Sequence, residues 1–145
     1  MSTMNKAADS NESGQELVEG AFVLLMLSLL LFGVFEVGRV IQTRQALTDA
    51  AREGARSSIS PLTQSTQLAQ PSDVKDVVKQ YLSAAHITVP DSDITVEQNY
   101  TIGGGPTEYT RVTVRYAYPI ITTKILGLNN VNLVGSSMMR NETSP

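Results

Sequence analysis

From Ala21 to Phe35 the chain reads AFVLLMLSLLLFGVF, an uncharged run interrupted only by Ser28 and Gly33. A helix this apolar all round has no solvent face and requires lipid or protein on every side. As a helix the run spans roughly 22 Å, short of the roughly 30 Å hydrocarbon core of a bilayer. A span is therefore predicted to draw in Val37, Val40 and Ile41, which places a transmembrane part at about 20–41. Two carboxylates bracket it, Glu19 and Glu36, and each is costly at mid-bilayer unless it lies near an interface or finds a partner. Arg39 is within helical reach of Glu36.

The pattern differs on either side of this run. Residues Met1 to Ser13, MSTMNKAADSNES, contain no aromatic or branched aliphatic side chain and are expected to form a disordered leader, residues 1–14. After the run, VGRVIQTRQALTDAAREGARSSIS has no proline before Pro61 and is rich in good helix formers, so one long helix is predicted over 15–59. Ala46, Ala50 and Gly54 recur every four residues, as do Leu47, Ala51 and Ala55, making two adjacent stripes of mainly small side chains. Such stripes serve either packing inside the chain's own domain or a helix-packing seam between subunits.

SPLTQSTQLAQP, Ser60 to Pro71, reads as a linker and sets the expected domain boundary. In the next segment, SDVKDVVKQYLSAA, Val74, Val77, Val78, Tyr81 and Leu82 fall at helical spacing, with Ser72 placed as a cap. The period then changes to two. Ile94, Val96, Gln98, Tyr100 and Ile102 alternate with polar residues, and Val112, Val114, Tyr116 and Tyr118 alternate with Arg111, Thr113, Arg115 and Ala117. Gly103 to Pro106, GGGP, supplies the hairpin turn between those strands. A third strand is expected over Val131 to Met139, and Gly127 with Asn129 and Asn130 suggests a short helix ending within Ile120 to Leu128. The predicted fold class is α+β: a long N-terminal anchoring helix, then a small domain (60–145) with one amphipathic helix and about three antiparallel strands.

Charge and candidate chemistry narrow the function. A net charge of -3 and a pI near 5.1 leave no basic footprint for nucleic acid. The absence of cysteine excludes disulfides, a thiolate nucleophile and thiolate metal sites. The sole imidazole, His86, has no partner at metal or triad spacing. Asp91, Asp93 and Glu97 lack the calcium-loop pattern around a glycine, and GGGP joins two strands instead of opening onto a helix, as a phosphate loop would. Asn11, Asn99 and Asn141 each open an N-x-[ST] triplet, a pattern frequent by chance here. No catalytic residue, metal site or cofactor is predicted, and the chain reads as a non-enzyme.

A more specific signal is Gly14-Gln15-Glu16-Leu17-Val18-Glu19, at the end of the polar leader and directly before the apolar run. A secretory signal would carry a basic start and a small-residue cleavage site after its core; Lys6 stands alone and no such site lies beyond Phe35, so cleavage before the core fits better. GQELVE followed by an apolar helix resembles the TadE-like pilin-related proteins of tight-adherence, type IV-like pilus systems. The likeness continues through VGRVIQTRQALTDAAREGAR and is close at Ala50 to Arg56. The chain departs from the family pattern at Gly20, where an aromatic is common, and near Leu25, where a proline is frequent.

The resemblance implies cleavage by a prepilin peptidase between Gly14 and Gln15, leaving a new amino terminus close to Glu19. It further implies an inner-membrane, single-pass protein with its C-terminal domain extracytoplasmic, whose partners are lipid and other pilin-like subunits in a hetero- or homo-oligomer. Glu19 would pair with the Gln15 amine of a neighbouring subunit. Charge counting points to the opposite orientation, with Lys6 on the leader side against Arg39, Arg44, Arg52 and Arg56 beyond the span. The expected function is assembly of a pilus, as a minor or priming subunit; the alternative is a signal-anchored ligand-binding or adhesion module.

Overall fold

The apolar run and the Ala- and Arg-rich segment after it hold no helix breaker, and in a computed structural model of the chain they form one helix, α1, over Met4–Ile59. The structure describes residues 4–59, 68–105, 107–120 and 130–141. Helical backbone begins at Met4, so the segment expected to be disordered is helical over most of its length. Helical hydrogen bonds need no apolar core, and the Ala, Lys and Glu residues of this segment favour them.

The chain divides into two compact units, 1–39 and 40–145. In the first, every large apolar side chain from Leu17 to Val37 is exposed. The hydroxyl of Ser28 donates to the carbonyl of Leu24 at 2.7 Å, which satisfies the polar group inside the apolar run. Glu36 is 5% exposed, and Arg39 lies 4.0 Å from it, the pair expected from helical spacing.

The second unit begins inside α1. The helix ends at Ile59, just before the linker expected from Ser60, while its last turns supply part of the core of the second unit. Leu47, Ala50, Ala51 and Ala55 are fully buried with Val74, Val78 and Leu82 of α2 (Pro71–Ala84) and with Ile94, Val112, Val114 and Leu133 of the sheet. The sheet has three antiparallel strands in the order β1 (Ile94–Thr101), β2 (Glu108–Tyr118), β3 (Val131–Arg140). The segment 121–129, where a short helix was expected, lies outside the described residues.

Two glycines set how closely the layers approach. A Cβ on Gly135, in the middle of β3, would collide with the backbone of Leu47 and Thr48. A Cβ on Gly54 would lie 2.5 Å from Cγ2 of Val78. The helix backbone therefore rests directly on the sheet, a use of glycine that leaves no space for any side chain.

Local capping differs from the sequence reading at one end of α2. The helix starts at Pro71 after Gln70, with no side-chain cap, and Ser72 Oγ contacts Asp73 Oδ1 at 3.3 Å instead of capping. Proline suits this first position because its fixed φ is already helical and it has no N–H to satisfy. At the other end, His86 N–H donates to Ser83 O and Ile87 N–H to Leu82 O, both at 3.0 Å, with His86 at φ 59. This is a Schellman cap carrying histidine where glycine is usual. His86→Gly is expected to stabilise the full chain by about 0.5–1 kcal/mol in chemical denaturation, by removing the Cβ penalty of the left-handed conformation.

Candidate functional site

The residues singled out for processing and assembly lie on α1. Gly14, Gln15 and Glu19 are exposed, and a Cβ built on Gly14 meets nothing within 4 Å. Among the described residues no other part of the chain packs against Gly14, which lies within α1.

The small-residue stripe has a different fate. Ala50 and Gly54 are buried in the domain, and Gly54 faces Val74 and Val78 of α2 and Val112 of β2. Of the two roles open to that stripe, these positions perform the intramolecular one, so the seam expected at Ala46, Ala50 and Gly54 is corrected to internal packing at the last two. Ala46 is half-buried and lines a depression of about 490 Å³ with Gln42, Gln45 and Tyr81.

His86 serves as the C-terminal cap of α2. Asp91 begins a single 3-10 turn, Asp91–Asp93. Its carboxylate accepts from Lys79 Nζ at 2.9 Å, and Lys79 also reaches Asp76 at 2.9 Å. The Lys79 hydrogen bond holds the Asp91 carboxyl below its ordinary 3.8, and the bonds to Asp91 and Asp76 hold the Lys79 ammonium above its ordinary 10.5. This exposed clasp ties α2 to the turn before β1. Among the described residues no group of three His, Asp or Glu could hold a metal ion.

Two arrangements escaped the sequence reading. In β1 the register passes from Glu97 opposite Arg111 to Tyr100 opposite Tyr109, so Gln98 and Asn99 together face Thr110. Asn99 adopts φ 60, and this bulge reverses the facing of the later residues of the strand. Ile94, Val96 and Gln98 keep the inward facing that alternation predicts. Tyr100 instead lies beneath Arg111, whose guanidinium is 3.6 Å from the ring centroid and whose Nη1 is 3.6 Å from Glu97.

The second is a buried polar network. Gln98 Nε2 donates to Ala69 O at 2.7 Å and to Ser58 Oγ at 3.1 Å, Ser58 Oγ approaches Thr110 Oγ1 at 3.4 Å, and Thr110 Oγ1 donates to Asn141 Oδ1 at 2.7 Å. Ser58, Thr110 and Asn141 are fully buried. The network joins the end of α1, the entry to α2, two strands and the residue after β3.

The N-terminal unit thus presents an exposed Gly14 and Gln15 and a helix whose large apolar side chains are exposed. α1 is long and apolar enough to cross a membrane, and the 18-residue window that meets this condition has none of its residues buried. The family model described as TadE-like protein matches residues 14–56, from that glycine through the helix that enters the domain core. Over residues 14–56 the chain belongs to the TadE-like family. No curated protein and no solved structure matches. TadE-like proteins are pilin-related and structural, without catalytic function, and α1 is the membrane-anchoring helix of this one. The TadE-like segment covers residues 14–39 of the first unit and most of the part of α1 that belongs to the second. The sheet and α2 lie beyond it.

Proposed function

We propose that this TadE-like protein is a minor or priming subunit of a tight-adherence pilus, cut between Gly14 and Gln15 by a prepilin peptidase and held in the inner membrane with its domain outside. The observation that carries the reading is the start of the family match at Gly14, immediately before GQELVE meets the apolar run. Glycine suits such a cleavage position because a missing Cβ lets a protease bring the backbone into a narrow site.

After cleavage the Gln15 amine lies a little over one helical turn from Glu19. A carboxylate in apolar surroundings gains most by pairing with a cation, and the amine of a neighbouring subunit supplies one. The exposed apolar helix first satisfies itself with lipid and then exchanges lipid for other pilin-like helices, an exchange between two apolar environments.

The test is the intact mass of the membrane-bound chain expressed with and without a cognate prepilin peptidase. The expected product begins at Gln15 and appears only with the peptidase. Gly14→Ala is expected to reduce processing at least about tenfold, the equivalent of about 1.4 kcal/mol in the cleavage step. Full-length wild-type chain in the presence of active peptidase would contradict the proposal.

A further inference from the structure

We propose that Asn99 is an acceptor for N-linked glycosylation, its side-chain amide taking an oligosaccharide from a polyprenyl diphosphate carrier on the outer side of the membrane. The proposal rests on the reading that holds the domain outside.

The chain has three N-x-[ST] triplets, Asn11-Glu12-Ser13, Asn99-Tyr100-Thr101 and Asn141-Glu142-Thr143. Spacing alone does not choose among them, but burial does. An acceptor amide has to enter the site of an enzyme, so it must lie on the surface of the part of the chain that meets that enzyme. Asn141 is fully buried and its Oδ1 accepts from Thr110 Oγ1 at 2.7 Å, so reaching it means breaking the polar network. Asn11 lies ahead of Gly14, in the segment that the proposed cleavage removes. Asn99 and Thr101 are both exposed, near the end of β1.

The backbone at Asn99 also leaves the sheet at low cost. Among the described residues β1 is an edge strand, in the order β1-β2-β3. Its ladder is interrupted between Glu97 and Tyr100, and Asn99 adopts φ 60 there. From this bulge to the turn at Gly103 and Gly104, the Tyr100–Tyr109 and Thr101–Glu108 pairs hold the strand. An enzyme that draws a short peptide into its site meets a bulge and the last pairs of a ladder, the low-stability end of a sheet. Opening stops before the core, because Gln98 Nε2 stays bonded to Ala69 O at 2.7 Å and to Ser58 Oγ at 3.1 Å.

In the transfer, Nδ2 of Asn99 attacks the anomeric carbon of the carrier-linked sugar. The new N–C bond forms as the C–O bond to the diphosphate breaks; the polyprenyl diphosphate leaves with that electron pair, and an Nδ2 proton passes to a base of the enzyme. The Thr101 hydroxyl, two residues on, hydrogen-bonds the enzyme and fixes the amide. Glu97 supplies a third contact, since bacterial oligosaccharyltransferases read a carboxylate two residues before the asparagine with a basic side chain. The Glu97 side chain is 48% exposed, and its 3.6 Å pair with Arg111 is of the surface kind that exchanges readily for another cation. Asn141 has Met139 at the corresponding position.

The full chain is produced in bacterial cells that carry a bacterial oligosaccharyltransferase and a polyprenyl-diphosphate-linked oligosaccharide of known mass, and the membrane-bound product is measured by intact mass and tandem mass spectrometry. The expected product carries one glycan, on Asn99. The glycan is expected to be lost in Asn99→Gln and Thr101→Ala, kept in Thr101→Ser, and reduced at least about tenfold in Glu97→Gln, which removes a charge-assisted contact. Retention in Thr101→Ser separates loss of the acceptor from loss of the fold. A glycan on Asn11 or Asn141 in place of Asn99 would overturn the proposal, as would an unmodified chain in cells where a control acceptor protein is glycosylated. Because the chain has no cysteine, a membrane-impermeant maleimide on Thr95→Cys reads the topology in the same cells. A domain labelled from outside but without glycan overturns the proposal alone; a domain neither labelled nor glycosylated overturns it together with the reading it rests on.

Discussion

Gly135→Ala is expected to destabilise the domain by about 3 kcal/mol, the upper part of the range for overpacking a well-packed interior. The new methyl group would meet the carbonyl and amide atoms of Leu47 and Thr48, which are helix backbone and cannot turn aside as a side-chain tip does. Relief requires α1 to lift from β3, and that movement uncovers Leu47, Ala50 and Ala51 in the same step. Denaturant unfolding of the full chain, monitored by circular dichroism, measures the effect. Gly38→Ala is the matched control: it sits on the same helix, nothing lies within 4 Å of its added Cβ, and its expected change is within about 1 kcal/mol of zero. Equal stability of the two variants would show that α1 does not rest on the sheet.

The second large effect is expected at Thr110. Thr110→Val keeps the shape of the side chain but removes the hydroxyl that donates to Asn141 Oδ1 and faces Ser58. The Nδ2 of Asn141 already has no hydrogen-bond partner among the described residues, so the valine variant leaves both ends of a buried amide unsatisfied. The expected loss is about 2 kcal/mol, the desolvation penalty of an orphaned buried polar group. Thr110→Ser retains the hydroxyl and is expected to lose less than half of that, mainly through the missing methyl group. A valine variant as stable as the serine variant would mean that the network contributes nothing net.

What could be read in the sequence divides along the range of the interactions responsible. The apolar span, the Val74-Val78-Leu82 face of α2 and the three strands are written in local periodicity, and they appear where periodicity places them. The GGGP turn was equally local: Gly103 and Gly104 take φ 64 and 73, and Gly105 N–H closes the turn on Ile102 O at 3.2 Å. The facing of Tyr100 was not, because a single inserted residue reverses every later side chain of the strand, and the only local trace is that asparagine tolerates the left-handed region better than most residues. The cap at His86 had a faint signature in the Leu82 and Ile87 pair that flanks it.

The candidate site was legible only on its N-terminal side. Gly14, Gln15 and Glu19 stand in a contiguous motif ahead of the apolar run, and the family match begins with the first of them. The stripe of Ala46, Ala50 and Gly54 was visible as a stripe but silent about what it touches, since small residues suit a neighbouring subunit and the chain's own sheet equally. Burial of Ala50 and Gly54 within the domain decides this for those two positions. Ser58, Ala69, Gln98, Thr110 and Asn141 come together from five separate segments, so no spacing rule could have linked them.

The central claim is that α1 anchors the chain in the membrane and carries its domain on the outer side, against the orientation that basic residues alone would favour. Because the chain holds no cysteine, the most direct measurement is labelling of a single Thr95→Cys variant in spheroplasts with a membrane-impermeant maleimide. Thr95 is exposed on β1 and lies outside both the core and the buried network. The account predicts full labelling while the membrane is intact; labelling that appears only after the membrane is broken would contradict it.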